Sequence, residues 1–540
     1  MDKNLTMTYE ERIKEQKQLW EEEQRKENGK RAENFRRLGL ASFLYAVIYT
    51  FCLYQNLTGV TSPLWAAASA CYLFYVIKSS GKVLKKDSWF LMAVLVLLGI
   101  SNFLTGNLWI VWMNYLVMFV LLVGILLHNF YEDITWDFGK YGKELAAAVF
   151  GAIGKCFTPF SDGEAFFKKY RAGDNKKAGY ILAGIGIAFP CALVLTGLLC
   201  QADMVFADMV GRVLKNIIFP RKLFGILLML CFGFFSSYCG VRYIGLHSRE
   251  ENVEQKKTAE PLLAIALSGT VLIVYLLFCG IQVFYLFLGA GTLPEGVTYA
   301  AYARTGFFQL LFICLFNIAA VLILKKRFRE SKALNACLLA VCGCTFIMTA
   351  SSAYRMLLYI GAYYLTTLRF FVLAALLAIA VVMVGVTVFI LKKEFPLLKF
   401  TVAALCIMYT ALSFSRMDYW IADYNLNHCT GKTEEIDYEY IACLSTDAAP
   451  VVAEYGKEHP KLLEKYAWWE KKVAAGKERS AGDGESTSAR DGWQIEAELE
   501  WEEDMWYYRY WAENREAMEQ NTLRKFNVSH HRAAELSEEL

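Results

Sequence analysis

Two short segments of the sequence, each at a junction between a polar turn and an apolar run, contain polar side chains that could bind an anion. The first place is the start of the run at residues 292–324, and its polar residues are Glu295, Tyr299, Tyr302, Arg304 and Gln309. The second is residues 351–369, which carry Arg355, Tyr359 and Arg369. Because polar groups are costly to bury without partners, each set is expected to be paired with other polar groups or with a ligand.

Three explanations fit these residues, together with Asp203, Arg416, Asp418 and Asp423, which the sequence places at the same membrane level. The first is a structural network of Arg, carboxylate and Tyr side chains, with Glu295 capping a helix in the box Thr292-x-x-Glu295. The second is a ligand site, in which Arg binds a carboxylate or phosphate of a lipid headgroup, lipid-linked sugar or peptide. The third is catalysis with Asp203 or Asp418 as a general base.

The elements that must position these residues are membrane-spanning helices. The chain has 540 residues, 56% of them hydrophobic, with a mean hydropathy of +0.30. A helix needs about 20 apolar residues to cross a bilayer. Because lipid offers no hydrogen bonds to the backbone, apolar runs of this length are predicted to be helices, which bond their own N–H and C=O groups. The sequence therefore predicts an all-α, polytopic integral membrane protein with about eleven transmembrane helices at 38–56, 61–78, 88–105, 107–129, 178–200, 223–246, 261–289, 297–324, 333–352, 366–391 and 400–416.

The organisation of the chain follows from its charges. We divide it into a charged cytoplasmic leader at 1–37, four helices at 38–129, a cytoplasmic connection with an interfacial helix at 130–177, a membrane core at 178–416 and an acidic tail at 417–540. Within the core, residues 201–220 form an amphipathic helix expected to lie on the membrane surface. The tail is predicted to be a small helical region interrupted by a flexible linker at 476–492.

Alternate loops are rich in Lys and Arg, which predicts their cytoplasmic location. With eleven spans, the N-terminus is then cytoplasmic and the C-terminus extracytoplasmic. This arrangement would place Cys429 and Cys443 outside the cytoplasm, where they could form a disulfide. The expected location is a cell membrane that the chain crosses several times.

The sequence lacks common signatures of catalysis. We find no phosphate-binding loop, no dinucleotide-binding glycine pattern, no HExxH and no His/Cys spacing typical of zinc, so we predict no cofactor, no metal, no catalytic residue and no nucleic-acid partner. The apolar stretches of the first seven spans contain no Asp, Glu, Lys or Arg, which disfavours a proton-driven transporter. A transporter that uses amide ligands such as Asn114, Gln282 or Asn317 remains open.

Several segments resemble a bacterial family of multi-pass membrane proteins, the domain of unknown function 4173. The segments are GIGIAFPCALVLTGLLCQADMVF (184–206), LPEGVTYAAYARTGFFQLL (293–311), TASSAYRMLLYIGAYYLTTLRFF (349–371), and MDYWIADYNLNH with IDYEYIACLSTDAAP (417–450). The resemblance implies a polytopic bacterial membrane protein. It implies no reaction, ligand or catalytic residue.

Taken together, these features favour a non-enzymatic role, as an envelope sensor or accessory protein that binds an anionic or amphipathic extracytoplasmic ligand or partner. The expected partners are the lipid bilayer and an envelope protein or lipid-linked ligand. A transporter or flippase of an amphipathic substrate is the first alternative. A membrane transferase acting on a lipid-linked substrate is the second.

Overall fold

The described part of the protein is helical. The structure, a computed structural model, describes residues 9–133, 136–170, 192, 195–196, 199–200, 202–216, 221–247, 259–284, 307–392, 394–428, 436–482, 505–520 and 522–540. These residues include no strand, and their β structure is one isolated bridge between Ala259 and Phe328. The all-α prediction is therefore confirmed.

Eight helices in the described residues are long and apolar enough to cross a membrane, which confirms the polytopic prediction. They are Ile13–Leu53, Lys86–Leu104, Leu108–Phe130, Lys222–Leu246, Pro261–Gln282, Phe308–Arg327, Lys332–Tyr363 and Thr367–Leu391. The pair Leu397–Ser413 and Met417–Asn427, bent by 55°, would make a ninth. The chain divides into two compact units, which we describe separately.

The first unit comprises residues up to Leu57, Thr61–Gly99 and Tyr115–Asn252. Its helices are α1 (Tyr9–Leu53), α2 (Thr61–Ser79), most of α3 (Lys86–Leu104) and of α4 (Leu108–Phe130), α5 (Phe138–Gly154), α6 (Thr158–Tyr170), α7 (Met204–Asn216) and α8 (Arg221–His247). Residues 9–37 of the charged leader and the first predicted span are one helix, because α1 continues through residue 37 without interruption. Apolar residues of α2, α4 and α8, among them Leu73, Ile125 and Tyr238, form the buried core.

The second unit comprises Thr58–Val60, Ile100–Asn114 and Val253–Leu540. Beyond the ends of α3 and α4, its helices are α9 (Pro261–Gln282), α10 (Phe307–Arg327), α11 (Lys332–Tyr363), α12 (Thr367–Leu391), α13 (Leu397–Ser413), α14 (Met417–Asn427), α15 (Tyr438–Ala442), α16 (Ala449–Glu458), α17 (Pro460–Gly482), α18 (Met505–Glu519) and α19 (Val528–Glu538). A single turn of 3-10 helix, Thr446–Ala448, precedes α16.

This unit has two apolar cores. In the first, α9 to α12 pack through residues such as Leu338 and Met383, each fully buried. In the second, the C-terminal helices pack around aromatic residues, with Tyr510 and Trp511 almost inaccessible to solvent. The helices of the predicted tail therefore pack on a core that contains several of their own Trp and Tyr residues and also Ile110 of α4.

Several predicted boundaries differ from the observed ones. The predicted second span is the 19-residue helix α2, which is not among the eight candidates, and most of the fifth, 178–200, lies outside the described residues. The count of eleven therefore stays a prediction. The amphipathic segment 201–220 contains α7, whereas the first residues of the predicted linker belong to α17, which continues to Gly482.

Candidate functional site

Two buried carboxylates hold the loop between α3 and α4. Asp447 accepts hydrogen bonds from the Thr105 hydroxyl and, at 3.0 Å, from the backbone N–H of Gly106. Asp418 accepts one from the side-chain amide of Asn107 at 2.9 Å. We call this set, with Ser445, the polar clasp; its members are Thr105, Gly106, Asn107, Asp418, Ser445 and Asp447.

Local helix capping positions the carboxylates. Ser445 precedes the turn Thr446–Ala448 and accepts from the backbone N–H of Asp447, so the hydroxyl fixes the start of that turn. The same residue donates to Asp418 Oδ2 twice, from its backbone N–H at 3.1 Å and from its hydroxyl at 2.5 Å. Asp418 lies in the first turn of α14, where a carboxylate is favoured by the exposed N–H groups of the helix end.

Asn527 adds a second attachment to the same loop. Its side-chain oxygen accepts from the backbone N–H groups of Ser529 and His530 and so caps α19. Its amide nitrogen lies 2.9 Å from the Thr105 carbonyl oxygen and 2.8 Å from that of Thr58. Because the residue is fully buried, loss of this amide would leave carbonyl groups without partners.

Gly106 permits the close approach of the loop to the C-terminal helices. A Cβ atom built at this position would lie 2.0 Å from the Thr446 hydroxyl oxygen and 3.2 Å from that of Ser529. The two hydroxyls are themselves hydrogen-bonded at 2.8 Å. The loop therefore needs glycine here for space, whatever its backbone conformation.

Both carboxylates of the clasp are buried. Asp418 and Asp447 are 2% and 5% exposed, and no ion pair joins either to Lys or Arg among the residues that the structure describes. The Asp418 Oδ1 atom is buried and has no hydrogen-bond partner there. The charges of the two carboxylates repel, and burial together with both charges raises the pKa of the Tyr510 phenol well above its ordinary value.

The family follows from a comparison with known proteins. A model of the domain of unknown function DUF4153 matches residues 92–455, more than half of the chain. The chain belongs to the DUF4153 family. The resemblance to family 4173 is not confirmed. No curated protein and no solved structure matches significantly.

All six residues of the polar clasp lie inside the DUF4153 match, whereas Asn527 and His530 follow it. Family membership supports the membrane-protein class, since the matched segment contains most of the candidate spans. The family description assigns no biochemical activity.

We expect acid to weaken the folded state of this DUF4153 protein through His530. Burial lowers the pKa of the His530 imidazole below its ordinary value of 6.5, although the charge of Asp447 opposes this shift. The unfolded chain therefore binds the proton more readily, so the contribution to stability is complete above pH 6.5 and is lost as the pH falls through the lower folded pKa. The loss of stability is measured by thermal unfolding of the detergent-solubilised chain at a series of pH values from above 6.5 into the acidic range.

The variant His530→Gln should show a smaller dependence of stability on pH than the wild type. His531→Gln is the matched control, because the neighbouring imidazole is half-exposed and faces Glu535. An equal reduction of the pH dependence in both variants would rule out the assignment to His530.

A second hydrogen-bond network in this DUF4153 protein joins the ends of α3 and α4 to α13. The Asn114 side-chain oxygen accepts from the hydroxyls of Tyr409, at 2.8 Å, and Ser413, at 2.9 Å. Its amide nitrogen donates to Asn102 Oδ1 at 2.7 Å, and the Ser101 and Ser413 hydroxyls are 2.6 Å apart. These bonds fix the ends of α3 and α4 against α13 without a charged residue.

Four of the polar residues predicted at the first membrane edge lie outside the described residues, namely Glu295, Tyr299, Tyr302 and Arg304. Gln309 is described, and its side chain is exposed on α10. The grouping of these five residues therefore stays a prediction.

The second predicted edge supplies two arginines with different surroundings. Arg355 is buried in α11 and donates at 3.0 Å to the Gln282 side-chain oxygen, which also accepts from Ser351 at 2.7 Å. Arg369 stacks 4.2 Å above the ring of Tyr359 and donates to the carbonyl oxygen of Tyr363 at 2.6 Å. A cation near these carbonyls stabilises the C-terminal end of α11.

The remaining described residues of the prediction lie at helix ends. Asp203 accepts from the backbone N–H groups of Val205 and Phe206 at the start of α7, and its surroundings are exposed. Arg416 precedes α14 with a positive φ of 49°. Cys443 is exposed, and its predicted partner Cys429 lies outside the described residues, so the disulfide stays a prediction.

The structure also shows buried polar groups that the sequence patterns did not reveal. In the first unit, Asp162 accepts from Arg242 and Tyr238, each at 2.8 Å. Within the same unit, Asp133 lies 2.5 Å from His128 and 3.1 Å from Lys85. Each set joins residues more than a helical turn apart in sequence, so spacing could not reveal them. Among the described residues, no three His, Cys, Asp or Glu side chains are grouped to hold a metal ion.

Proposed function

We propose that this DUF4153 protein is a non-enzymatic membrane sensor or accessory subunit of a bacterial plasma membrane, with its C-terminal helical region outside the cytoplasm. The observation that carries the proposal is the polar clasp, in which both carboxylates bind a loop between two apolar helices. A ligand or partner that moves the C-terminal helices would therefore also move the ends of α3 and α4. The proposed ligand is an envelope protein or a lipid-linked anionic molecule.

The burial of the clasp supports a coupling role over catalysis. Asp418 is 2% exposed, so it is not presented to a substrate, and Asp203 is engaged in capping α7. The transporter alternative relied on amide ligands within the helices. Asn114 and Gln282 accept two hydrogen bonds each, and Asn317 is bonded to Tyr275 and Thr345. These amides act as links between helices in the geometry described.

The extracytoplasmic location of the tail follows from the alternation of basic loops and is part of the proposal. A reporter enzyme fused after Leu540 tests it directly. Activity of a reporter that works only outside the cytoplasm is expected, and activity of one that works only inside would reject this part of the proposal.

The functional test combines deletion of the coding sequence with complementation. We expect deletion to alter envelope physiology, wild-type chain to restore it, and Asp447→Asn to restore it poorly because the clasp is weakened. Asp423→Asn, at a partly exposed position on α14, should complement fully. Crosslinking before purification of the full chain should capture an envelope protein or a lipid-linked molecule. A deletion strain without an envelope phenotype, together with no captured molecule, would refute the proposed role.

A further inference from the structure

The outward face of α5 combines large exposed apolar side chains with lysines. Phe150 is 73% exposed, Ile153 is 66% exposed and Phe157, just beyond the helix, is 65% exposed. Within the helix, Lys143, Phe150 and Ile153 recur at intervals of seven and three residues and so lie on one face, and Phe157 follows shortly after the helix ends. Lys155 at the end of the helix is also exposed. Exposed apolar residues grouped in this way mark an interaction surface.

The opposite face of α5 is fixed against two candidate spans. Ala148 is 3% exposed, and a Cβ atom at Gly151 would lie 2.1 Å from the ring of Tyr243 on α8. The Tyr141 hydroxyl donates to the carbonyl oxygen of Gly124 on α4 at 3.1 Å. These contacts hold the helix in one orientation, so the apolar residues cannot turn inward.

The contacts also place α5 near the ends of those spans. Tyr243 is four residues from the end of α8, and Gly124 is six residues from the end of α4. Because both helices are candidate membrane spans, α5 lies near the boundary between hydrocarbon and water. A helix in that position with an apolar face and flanking lysines has the features of an interfacial, lipid-binding helix.

We propose that the outward face of α5 is a binding surface for anionic phospholipid, with Phe150, Ile153 and Phe157 inserted among the acyl chains and Lys143 and Lys155 at the headgroup phosphates. Charge complementarity selects this occupant, since basic residues near an anionic leaflet are attracted to it. Glu144, adjacent to Lys143, is less exposed than the lysine and reduces this attraction without reversing its sign.

Hydrogen exchange of residues 138–157 in the full chain tests the proposal. The chain is placed in nanodiscs of phosphatidylcholine alone, in nanodiscs that also contain phosphatidylglycerol, and in detergent. We expect exchange of the α5 amides to be slowest with phosphatidylglycerol, by about tenfold relative to phosphatidylcholine alone.

Matched variants separate the contribution of the lysines to lipid binding from the contribution of the apolar side chains. Lys143→Gln/Lys155→Gln should abolish the difference between the two lipids, whereas Lys14→Gln/Lys17→Gln, on the exposed part of α1, should preserve it. Phe150→Ser/Ile153→Ser should make exchange fast in both lipids, while exchange in α4 remains slow and shows that the chain is folded. Equal protection of the wild type in both lipids would overturn anionic recognition. Fast exchange of the wild-type α5 amides in both lipids would reject lipid binding by this face and would favour a protein as its partner.

Discussion

Asp447→Asn is expected to destabilise the protein by about 1–3 kcal/mol, whereas the same change at Asp418 should cost less. Both oxygens of Asp447 accept from the loop, at the Thr105 hydroxyl and the Gly106 N–H. An amide at this position would turn an N–H₂ group towards one of these donors. The donor would then be buried without an acceptor, which costs more than the hydrogen bond contributes.

Asp418 differs because its two oxygens are used unequally. Oδ2 accepts from Asn107 and from both donors of Ser445, whereas Oδ1 has no partner among the described residues. Asparagine keeps the accepting oxygen and removes a buried negative charge that repels Asp447. This gain offsets the cost of an amide N–H₂ group at the Oδ1 position, where the described residues supply no acceptor.

Thermal unfolding of the detergent-solubilised full chain, with protease accessibility of residues 436–458, measures both variants. Because the chemical change is identical, each variant is the control for the other. Equal losses at the two positions, or a larger loss at Asp418, would contradict the description of the clasp.

Gly106→Ala is expected to destabilise the chain by about 3 kcal/mol, because the new Cβ would overlap the Thr446 hydroxyl oxygen at 2.0 Å. The loop and the 3-10 turn both belong to the buried clasp, so the backbone must shift to relieve the overlap. Such a shift would lengthen the hydrogen bonds from Thr105 and Gly106 to Asp447.

A second substitution tests the cause of this loss. Thr446→Ala alone should cost about 1 kcal/mol by removing the hydrogen bond to Ser529. In Gly106→Ala/Thr446→Ala the overlapping oxygen is absent, and the nearest atom, the Ser529 hydroxyl oxygen, is 3.2 Å away. The double variant should therefore be more stable than Gly106→Ala alone.

Gly142→Ala on α5 is the control for the loss of glycine, since a Cβ there meets no atom within 4 Å. It should be neutral or slightly stabilising because alanine favours the helix. Additive losses in Gly106→Ala/Thr446→Ala would show that the hydroxyl is not the obstacle.

The fold class was predictable because a bilayer places a strict demand on composition. Apolar runs of the length of α4 and α12 can satisfy their backbone only as helices, so their positions followed from hydropathy. The boundary at residue 37 was less predictable. Charge changes there, but α1 contains no proline, and Asn34 and Gly39 on either side of the boundary do not interrupt the helix.

The site was only partly predictable. Asp418 was recognised as a candidate because a carboxylate beside an apolar segment is expensive, whereas Asp447 sits in a short polar loop with no such signal. Its role depends on Thr105 and Gly106, more than 300 residues earlier in the chain. Spacing within a helix cannot reveal such a contact, because it arises from the tertiary packing of separate helices.

The uninterrupted course of α1 has a mechanical consequence. From Tyr9 to Leu53 the helix is about 68 Å long, and its side chains are mostly exposed before Ala32 and increasingly packed after it. Because the helix is continuous, a load applied to its exposed half would be transmitted to its packed half. Inserting two glycines near Glu27 would let the exposed half bend and would weaken this transmission.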